Sequence, residues 1–211
     1  MKTVLLIILF LASLHADVKH FKNTQEAVDT FIVALKDGNK QVLSDLFTNE
    51  YKKLIKIKEL DSDDLNRFLN TYEKFHRLAS FDGKSVYIEV GNKGWTFPIP
   101  LMKDKNGWYF DIGIGIENMI TREIGRNELS MIAALRAGDE LEDLQAREDL
   151  QAFEIFKNKE YIVALPKNYG KTAIMSFVVD GNGNIYEANL EEIKYIFDNR
   201  FKKIDEFNWR Y

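Results

Sequence analysis

The chain has no cysteine among its 211 residues. It therefore forms no disulfide bond and carries no lipid on a cysteine side chain. No segment rich in proline, or in glycine and serine, divides the chain as a flexible linker would. Because 45% of the residues are hydrophobic and 13% are aromatic, we expect a protein that is held together by its hydrophobic core alone.

Histidine and excess positive charge are also scarce. Beyond residue 16 only His20 and His76 remain, and two histidines so far apart in sequence do not make a zinc site. We therefore expect neither a metal nor a cofactor. The net charge is −4, with acidic and basic residues interleaved, whereas a nucleic-acid-binding protein usually carries a basic field. We accordingly expect no nucleic acid among the partners.

The N-terminus carries the layout of a secretory signal peptide. Met1 and Lys2 supply one positive charge, an apolar run follows over residues 3–14, and the small residue Ala16 precedes the polar chain. The run is about a dozen residues, whereas crossing a bilayer takes roughly 20. We expect cleavage after Ala16 and a periplasmic or secreted product without a membrane span. An uncleaved signal that anchors the chain is the alternative.

Helices are predicted for the first third of the mature chain. Asn23 followed by Glu26 is typical of a helix start, Gly38 suits a helix end, and Asn39 suits the next start. A third helical piece follows near residues 51–55. A fourth helix begins at Asp61 or Ser62 and places one apolar face inward. The side chains on that face are Leu65, Phe68, Leu69, Tyr72 and Phe75.

Strands are predicted for the middle of the chain. Residues 84–91 alternate apolar and polar side chains, and residues 94–102 place Trp95, Phe97, Ile99 and Leu101 on one face. The loop at 103–107 then reverses the chain into a return strand with Trp108, Phe110 and Ile112. Pro98 and Pro100 lack N–H groups on the same side, which indicates an edge strand or a strand beside a gap.

Beyond this hairpin the pattern becomes helical over residues 117–157, with a break at Gly138-Asp139. Strands near 160–165, 173–180 and 184–188 and a helix near 190–201 complete the chain. These patterns predict an α+β fold, with N-terminal helices on a curved antiparallel sheet, a long connecting helix, and a small C-terminal antiparallel sheet with a final helix. The divisions are a signal peptide at 1–16, a helical and β-hairpin half at 17–125, a connecting helical segment at 126–158, and a C-terminal hairpin and helix at 159–211.

Several phrases of the sequence resemble an exported bacterial protein family of unknown function. They are GWTFPIPL at 94–101, GWYFD at 107–111, IGRNEL at 124–129 and MSFVVDGNGNIYE at 175–187. Together they resemble the family called domain of unknown function twenty-nine fifty. The resemblance implies an envelope-associated protein of a Gram-negative bacterium and brings no catalytic residue with it. Typical members carry a long insertion that this chain lacks near 140–160.

A second resemblance concerns the N-terminal half. The stretch EAVDTFIVALKDGNKQVLSDLF at 26–47 is similar to the first helices of the nuclear-transport-factor-two-like fold. That resemblance, extended over residues 24–112, implies helices packed on a curved sheet that form a cone with a pocket. In such a pocket Glu89 and Asp111, with Tyr87 and Tyr109 nearby, would face inward, and a buried carboxylate could transfer protons. On an ordinary sheet the same residues face water.

Two further groups of residues have alternative interpretations. His76, at a helix end beside Glu73, is either a base or a residue placed by the helix dipole. Asp180 begins the turn DGNGN at 180–184, which spaces oxygens as a calcium loop does but carries Ile185 where that loop demands glycine. We interpret it as a tight turn. The charged residues Arg122, Glu123, Arg126 and Glu128 either form ion pairs along their helix or lock that helix onto the hairpin.

These observations favour a non-catalytic envelope module that binds another protein or a small ligand. Trp95, Phe97, Trp108 and Arg126 are the candidate binding residues. A small hydrolase or isomerase is the first alternative, with Glu89, Asp111 and His76 as candidate catalytic residues in a cone-shaped pocket. A structural subunit of an envelope assembly is the second alternative, and it would expose a large apolar patch.

Overall fold

The computed structural model describes residues 18–47, 62–190 and 200–204. The predicted signal peptide, the helical piece near 51–55 and most of the predicted final helix lie outside these residues. Within them the chain is α+β, as predicted. The helices are α1 (Thr24–Lys36), α2 (Lys40–Phe47), α3 (Ser62–Lys74), α4 (Ile112–Ala137) and α5 (Leu141–Ala146), followed by a 3₁₀ turn at Glu148–Leu150.

The strands form two antiparallel sheets, and the chain divides into two compact units between Ile116 and Glu117, inside α4. The first sheet has the order β1-β2-β4-β5, with β3 also paired to β2, and the second has the order β10-β9-β8-β7-β6. The strands are β1 (His76–Ala79), β2 (Ser85–Val90), β3 (Trp95–Thr96), β4 (Leu101–Asp104), β5 (Gly107–Phe110), β6 (Phe153–Asn158), β7 (Tyr161–Pro166), β8 (Met175–Val179), β9 (Ile185–Asn189) and β10 (Lys202–Lys203).

The first helices begin and end where the local signals predict. The side chain of Asn23 accepts a hydrogen bond from the Glu26 amide at 2.9 Å, and Asn39 accepts one from the Val42 amide at 3.1 Å. Gly38 lies between the two helices with a φ of +60°, the left-handed conformation that favours glycine. The buried faces of α1 and α2 then pack against one face of the first sheet, where the rings of Phe31, Phe47 and Phe110 all contact one another.

The end of α3 differs from the prediction. The helix ends at Lys74, so His76 is the first residue of β1 and not a helix-end residue. Phe75, predicted to lie on the buried helix face, is 47% exposed. The Gly91 amide donates a hydrogen bond to the Phe75 carbonyl at 3.0 Å, which joins this segment to the β2–β3 turn.

The proline segment interrupts the predicted strand over 94–102. β3 ends at Thr96 and β4 starts at Leu101, so Pro98 and Pro100 lie in the break, where their missing N–H groups cost no ladder bond. Both short strands pair with β2, at its opposite ends. The predicted hairpin over β4 and β5 is confirmed. Its return strand ends at Phe110, and Ile112 begins α4 instead.

In the second unit a segment that was predicted as helix forms a strand. The predicted break at Gly138 is confirmed, because α4 ends at Ala137 and Gly138 has a φ of +76°, which suits a helix end. Residues 153–158, however, belong to β6, which pairs along its whole length with β7. Phe153 and Ile155 face the core of this unit, together with Phe177 and Met131. The connecting segment at 126–158 is therefore only partly helical.

Candidate functional site

The first three strands bring three side chains into one row. In the antiparallel register His76 lies opposite Val90, and Val90 lies opposite Trp95. Opposite residues share a face of a sheet. Phe68 and Tyr72, four residues apart on α3, lie over the same face. We call Phe68, Tyr72, His76 and Trp95 the Trp95 surface.

The turn between β2 and β3 places Trp95 at the end of the sheet. Gly91 and Gly94 have φ values of +70° and +69°, which other residues rarely adopt. A side chain at Gly91 would also meet Thr71 Cγ2 at 3.0 Å. The two glycines allow the chain to reverse beside α3, so the indole returns next to the helix. The turn therefore explains why Gly94 precedes Trp95 in the GWTF sequence.

Trp95 is 49% exposed, yet its ring contacts a continuous series of aromatic rings. The Phe68 ring lies 6.1 Å from it, edge to face, and 5.9 Å from the Phe97 ring. Phe97 is in turn 4.9 Å from Phe31 in the core. Edge-to-face contacts at these distances are favourable. The indole is therefore supported from below while half of its surface faces outward.

The exposed ring of His76 is the polar part of the Trp95 surface and rests on the buried ring of Tyr72. Their rings stack at 3.8 Å with an interplanar angle of 10°. The Nδ1 atom of His76 donates to the Tyr72 carbonyl at 2.8 Å, since a carbonyl only accepts. In the neutral ring Nε2 is then a hydrogen-bond acceptor. Burial raises the pKa of the Tyr72 hydroxyl, and the negative charge of Asp29 raises it further.

Glu89 lies on the opposite face of the sheet from His76. It is paired in register with Arg77 and Thr96. The guanidinium of Arg77 binds both carboxylate oxygens, at 2.9 and 3.0 Å. Glu89 is only 5% exposed, so this pairing neutralises a buried charge. Glu89 and His76 therefore do not form an acid–base pair.

Asp111 immediately precedes α4 and caps it. Its Oδ1 atom accepts from the Ile114 amide at 3.0 Å, and the Tyr109 hydroxyl donates to its other oxygen at 3.4 Å. Burial and the nearby Asp111 charge raise the pKa of Tyr109. A carboxylate at a helix start that accepts the first amides is a common structural arrangement. This capping role explains why the GWYFD sequence ends in an aspartate, Asp111.

The other two candidate binding residues are Trp108 and Arg126. Trp108 exchanges two backbone hydrogen bonds with Phe21, at 2.8 and 2.9 Å. Its ring lies 5.7 Å from the ammonium of Lys103, the residue opposite it in β4. Arg126 belongs to the second unit, where it is exposed on α4. The structure therefore joins Trp95 and Phe97 through Phe68, whereas Trp108 contacts Phe21 and Lys103.

The IGRNEL sequence has a role within the second unit that sequence analysis missed. Glu128 is 7% exposed, and its Oε1 atom accepts from the amides of Ile174 and Met175 at 2.7 and 2.8 Å. The side chain of Asn127 donates to the Thr172 carbonyl at 2.8 Å. The two residues thus hold the backbone that leads into β8. The predicted ion pairs along the helix do not explain Glu128.

The DGNGN sequence forms a turn between β8 and β9, as predicted. Asp180 accepts from the amides of Asn182 and Asn184, from the Asn184 side chain and from the Tyr186 hydroxyl. The Asn184 side chain in particular lowers the pKa of Asp180, despite some burial of the carboxyl. These internal bonds occupy the oxygens that a cation would need. Across the part of the chain that the structure describes, no three His, Cys, Asp or Glu residues gather as metal ligands.

Comparison with known proteins identifies a family for this chain. Neither the curated proteins nor the solved structures include a significant match, so the resemblance to the nuclear-transport-factor-two-like fold stays a prediction. The family described as "Protein of unknown function (DUF2950)" matches residues 18–161 and 159–209, which together span most of the chain. The two matched segments meet close to the point where the family insertion is predicted to be missing. The chain belongs to the DUF2950 family, whose function is unknown.

Proposed function

We propose that this protein is exported through a signal peptide at residues 1–16 and acts in the periplasm or outside the cell as a non-catalytic binding module. The charged start, the short apolar run and Ala16 support export. Within the described ranges, no helix combines the length and hydropathy needed to span a bilayer.

The Trp95 surface is the proposed contact site, and the observation that carries it is the exposure of Trp95. A half-exposed indole that rests on Phe68 loses little conformational freedom on binding, because its position is already set. Tryptophan is also the side chain that most often dominates binding energy at interfaces. The Nε2 atom of His76 adds a polar position in the same row.

The bonding of the candidate catalytic residues favours binding over acid–base chemistry. Glu89 is held by a guanidinium, and Asp111 is held by a helix amide and a tyrosine hydroxyl. A general base needs a carboxylate or imidazole that faces its substrate together with its partner group. Here Glu89 and His76 lie on opposite faces of the sheet.

Export is tested by the intact mass of the protein recovered from the periplasm of a Gram-negative host that expresses the full chain. We expect a mass that lacks residues 1–16. A full-length chain of 24.6 kDa in the membrane fraction would overturn the proposed cleavage and favour an anchored protein.

The binding site is tested by comparing Trp95→Ala with a matched variant, Val33→Ala, which shortens another exposed apolar side chain on α1. Envelope components that are retained by the wild-type protein are identified, purified and titrated against all three proteins. We expect Trp95→Ala to weaken binding about tenfold or more and Val33→Ala to bind like the wild type. Equal binding by all three proteins would remove Trp95 from the contact site.

A further inference from the structure

A second surface of the first unit lies along strand β1. In the sheet order β1 is at one end, with β2 on one side. Among residues 18–47, 62–190 and 200–204 no other strand pairs with it. The outer edge of such a strand offers backbone N–H and C=O groups to a further strand. Phe75 and Phe81, which are 47% and 70% exposed, flank this strand at its two ends.

The sequence across this edge is symmetric in its large apolar residues. Residues 75–81 read FHRLASF, with phenylalanine at both ends and Leu78 at the centre. When two copies run antiparallel about an axis at Leu78, Phe75 of each copy lies opposite Phe81 of the other. Aromatic side chains in opposite positions stabilise an antiparallel pair. The same segment is therefore complementary to itself, as a two-fold interface requires.

Charge and register favour a two-fold axis at Leu78 over an axis at either neighbouring residue. In an antiparallel ladder, the backbone N–H and C=O groups of two opposite residues point either both toward the partner strand or both away from it. The two-fold axis must therefore pass through a residue, and the neighbouring arrangements have their axes at Arg77 and at Ala79. An axis at Arg77 places two arginines opposite each other, and an axis at Ala79 places Arg77 opposite Phe81. An axis at Leu78 instead places Arg77 opposite Ala79. In that register Arg77 keeps its own partner Glu89, at 2.8 Å.

We propose that this protein forms a two-fold symmetric dimer in which the β1 edges of two copies pair antiparallel about Leu78. The first sheets of the two copies then join into one continuous sheet. Phe75 and Phe81 cover the two ends of the new ladder. The β1 edge shares His76 with the Trp95 surface but does not include Trp95, on which the proposed contact site depends, so each proposal can fail without the other.

The first test is sedimentation of the purified protein over a wide range of concentration. As the protein concentration increases, we expect the sedimenting mass of the wild type to rise from that of one copy to that of two. The Phe75→Ser/Phe81→Ser variant should need a concentration at least about tenfold higher to reach the same mass. The control is Trp95→Ser, which removes an exposed aromatic side chain outside β1 and should associate like the wild type. A wild-type protein that stays monomeric up to its solubility limit overturns the proposal, as does a double variant that associates normally.

The second test reads the register directly, because the chain has no cysteine of its own. Phe75→Cys and Phe81→Cys are made separately in full chains, and circular dichroism checks that both fold. Opposite residues bring Cα atoms to about 4.5–5.5 Å, within the range of a disulfide. We expect a mixture of the two variants to form a disulfide-linked pair under oxidation and each variant alone to form much less. Equal cross-linking by one variant alone, or none in the mixture, overturns the pairing.

Discussion

Arg77 and Glu89 form a two-pronged ion pair across β1 and β2, with guanidinium nitrogens 2.9 and 3.0 Å from the two carboxylate oxygens. The partners differ in environment, since the side chain of Arg77 is 62% exposed and that of Glu89 is 7% exposed. The pair therefore allows a buried carboxylate to remain in the sheet.

This asymmetry predicts unequal costs for the two partners. Arg77→Ala leaves a buried charge without its partner and should lower the free energy of unfolding by roughly 2–3 kcal/mol. Glu89→Gln leaves an arginine that water can reach and should cost about 1 kcal/mol. Urea denaturation measures both. The control Arg67→Ala removes an exposed ion pair with Asp64 and should change stability by less than about 0.5 kcal/mol. A larger cost for Glu89→Gln than for Arg77→Ala would contradict this explanation.

Glu128 is expected to hold the entry to β8 through its two backbone bonds. Glu128→Ala leaves the amides of Ile174 and Met175 without their acceptor and should cost roughly 2–3 kcal/mol. Hydrogen exchange should become faster at these two amides in particular. Glu123→Ala, an exposed position on the same helix, is the control and should leave exchange unchanged. If exchange at both amides stays slow in Glu128→Ala, the carboxylate does not hold this segment.

Asp82 should titrate at unusually low pH. The Ser85 and Lys84 amides and the Ser85 hydroxyl donate to its Oδ1 atom, and these bonds lower its pKa from 3.8 to about 2. A lowered pKa in the folded state means that the carboxylate stabilises the fold fully above about pH 4 and that this stabilisation is lost as the pH falls through about 2. Carboxyl ¹³C NMR should place its midpoint near 2.

The matching variant is Asp82→Asn, which keeps an acceptor oxygen and removes the charge. Its unfolding free energy should depend less steeply on pH than that of the wild type between about pH 4 and 2. Glu142→Gln removes an exposed carboxylate in the second unit and serves as the control. An unchanged pH dependence in Asp82→Asn would show that the carboxylate is not linked to folding.

Two glycines of α4 should respond to alanine with opposite signs. A Cβ atom at Gly115 would lie 2.6 Å from Ile99 Cγ1, so Gly115→Ala must push α4 away from the proline segment and should cost roughly 1–3 kcal/mol. No atom lies within 4 Å of a Cβ atom at Gly125. Gly125→Ala should therefore stabilise the helix by about 0.5–1 kcal/mol. Thermal denaturation of both variants checks the two signs, and a stabilised Gly115→Ala would refute the close-packing argument.

Elements with strong local signals could be predicted from the sequence. Asn23, Asn39 and Gly38 act through bonds and backbone angles within a few residues, and the structure confirms each of them. The β4–β5 hairpin follows the same logic, because Asp104 accepts from the Asn106 and Gly107 amides of its own turn.

Strand β6 could not be predicted in this way. The turn from β6 to β7 passes through Lys159, which has a φ of +57° without being glycine or asparagine. The sequence therefore carries no turn signal at this point. Phe153 and Phe156 also continue the spacing of the preceding helical pattern, so the pattern predicts helix where the structure has a short strand. The partner β7 decides the conformation, since all six residues of β6 pair with it.

The candidate site was predictable in part. The alternation of 94–102 places Trp95 and Phe97 together, and the structure brings them to one cluster. That Phe68 joins them could not be predicted, because it depends on how α3 lies against the sheet. The role of Glu89 likewise follows from Arg77, a partner that strand register supplies. Asp111, in contrast, caps α4 through partners within three residues of it in sequence.

The sequence by itself determined the fold class, the family and the main helices and strands, because periodicity, capping residues and turn residues act over short distances. Only the tertiary structure decided the roles of the polar side chains whose partners are distant in sequence. Strand register placed Arg77 beside Glu89 and put His76 on the other face. The packing of α4 carried Glu128 to the start of β8, 46 and 47 residues away in sequence. Such contacts form only when long loops close and water is excluded from the core, and a pattern within a few residues gives no information about either process.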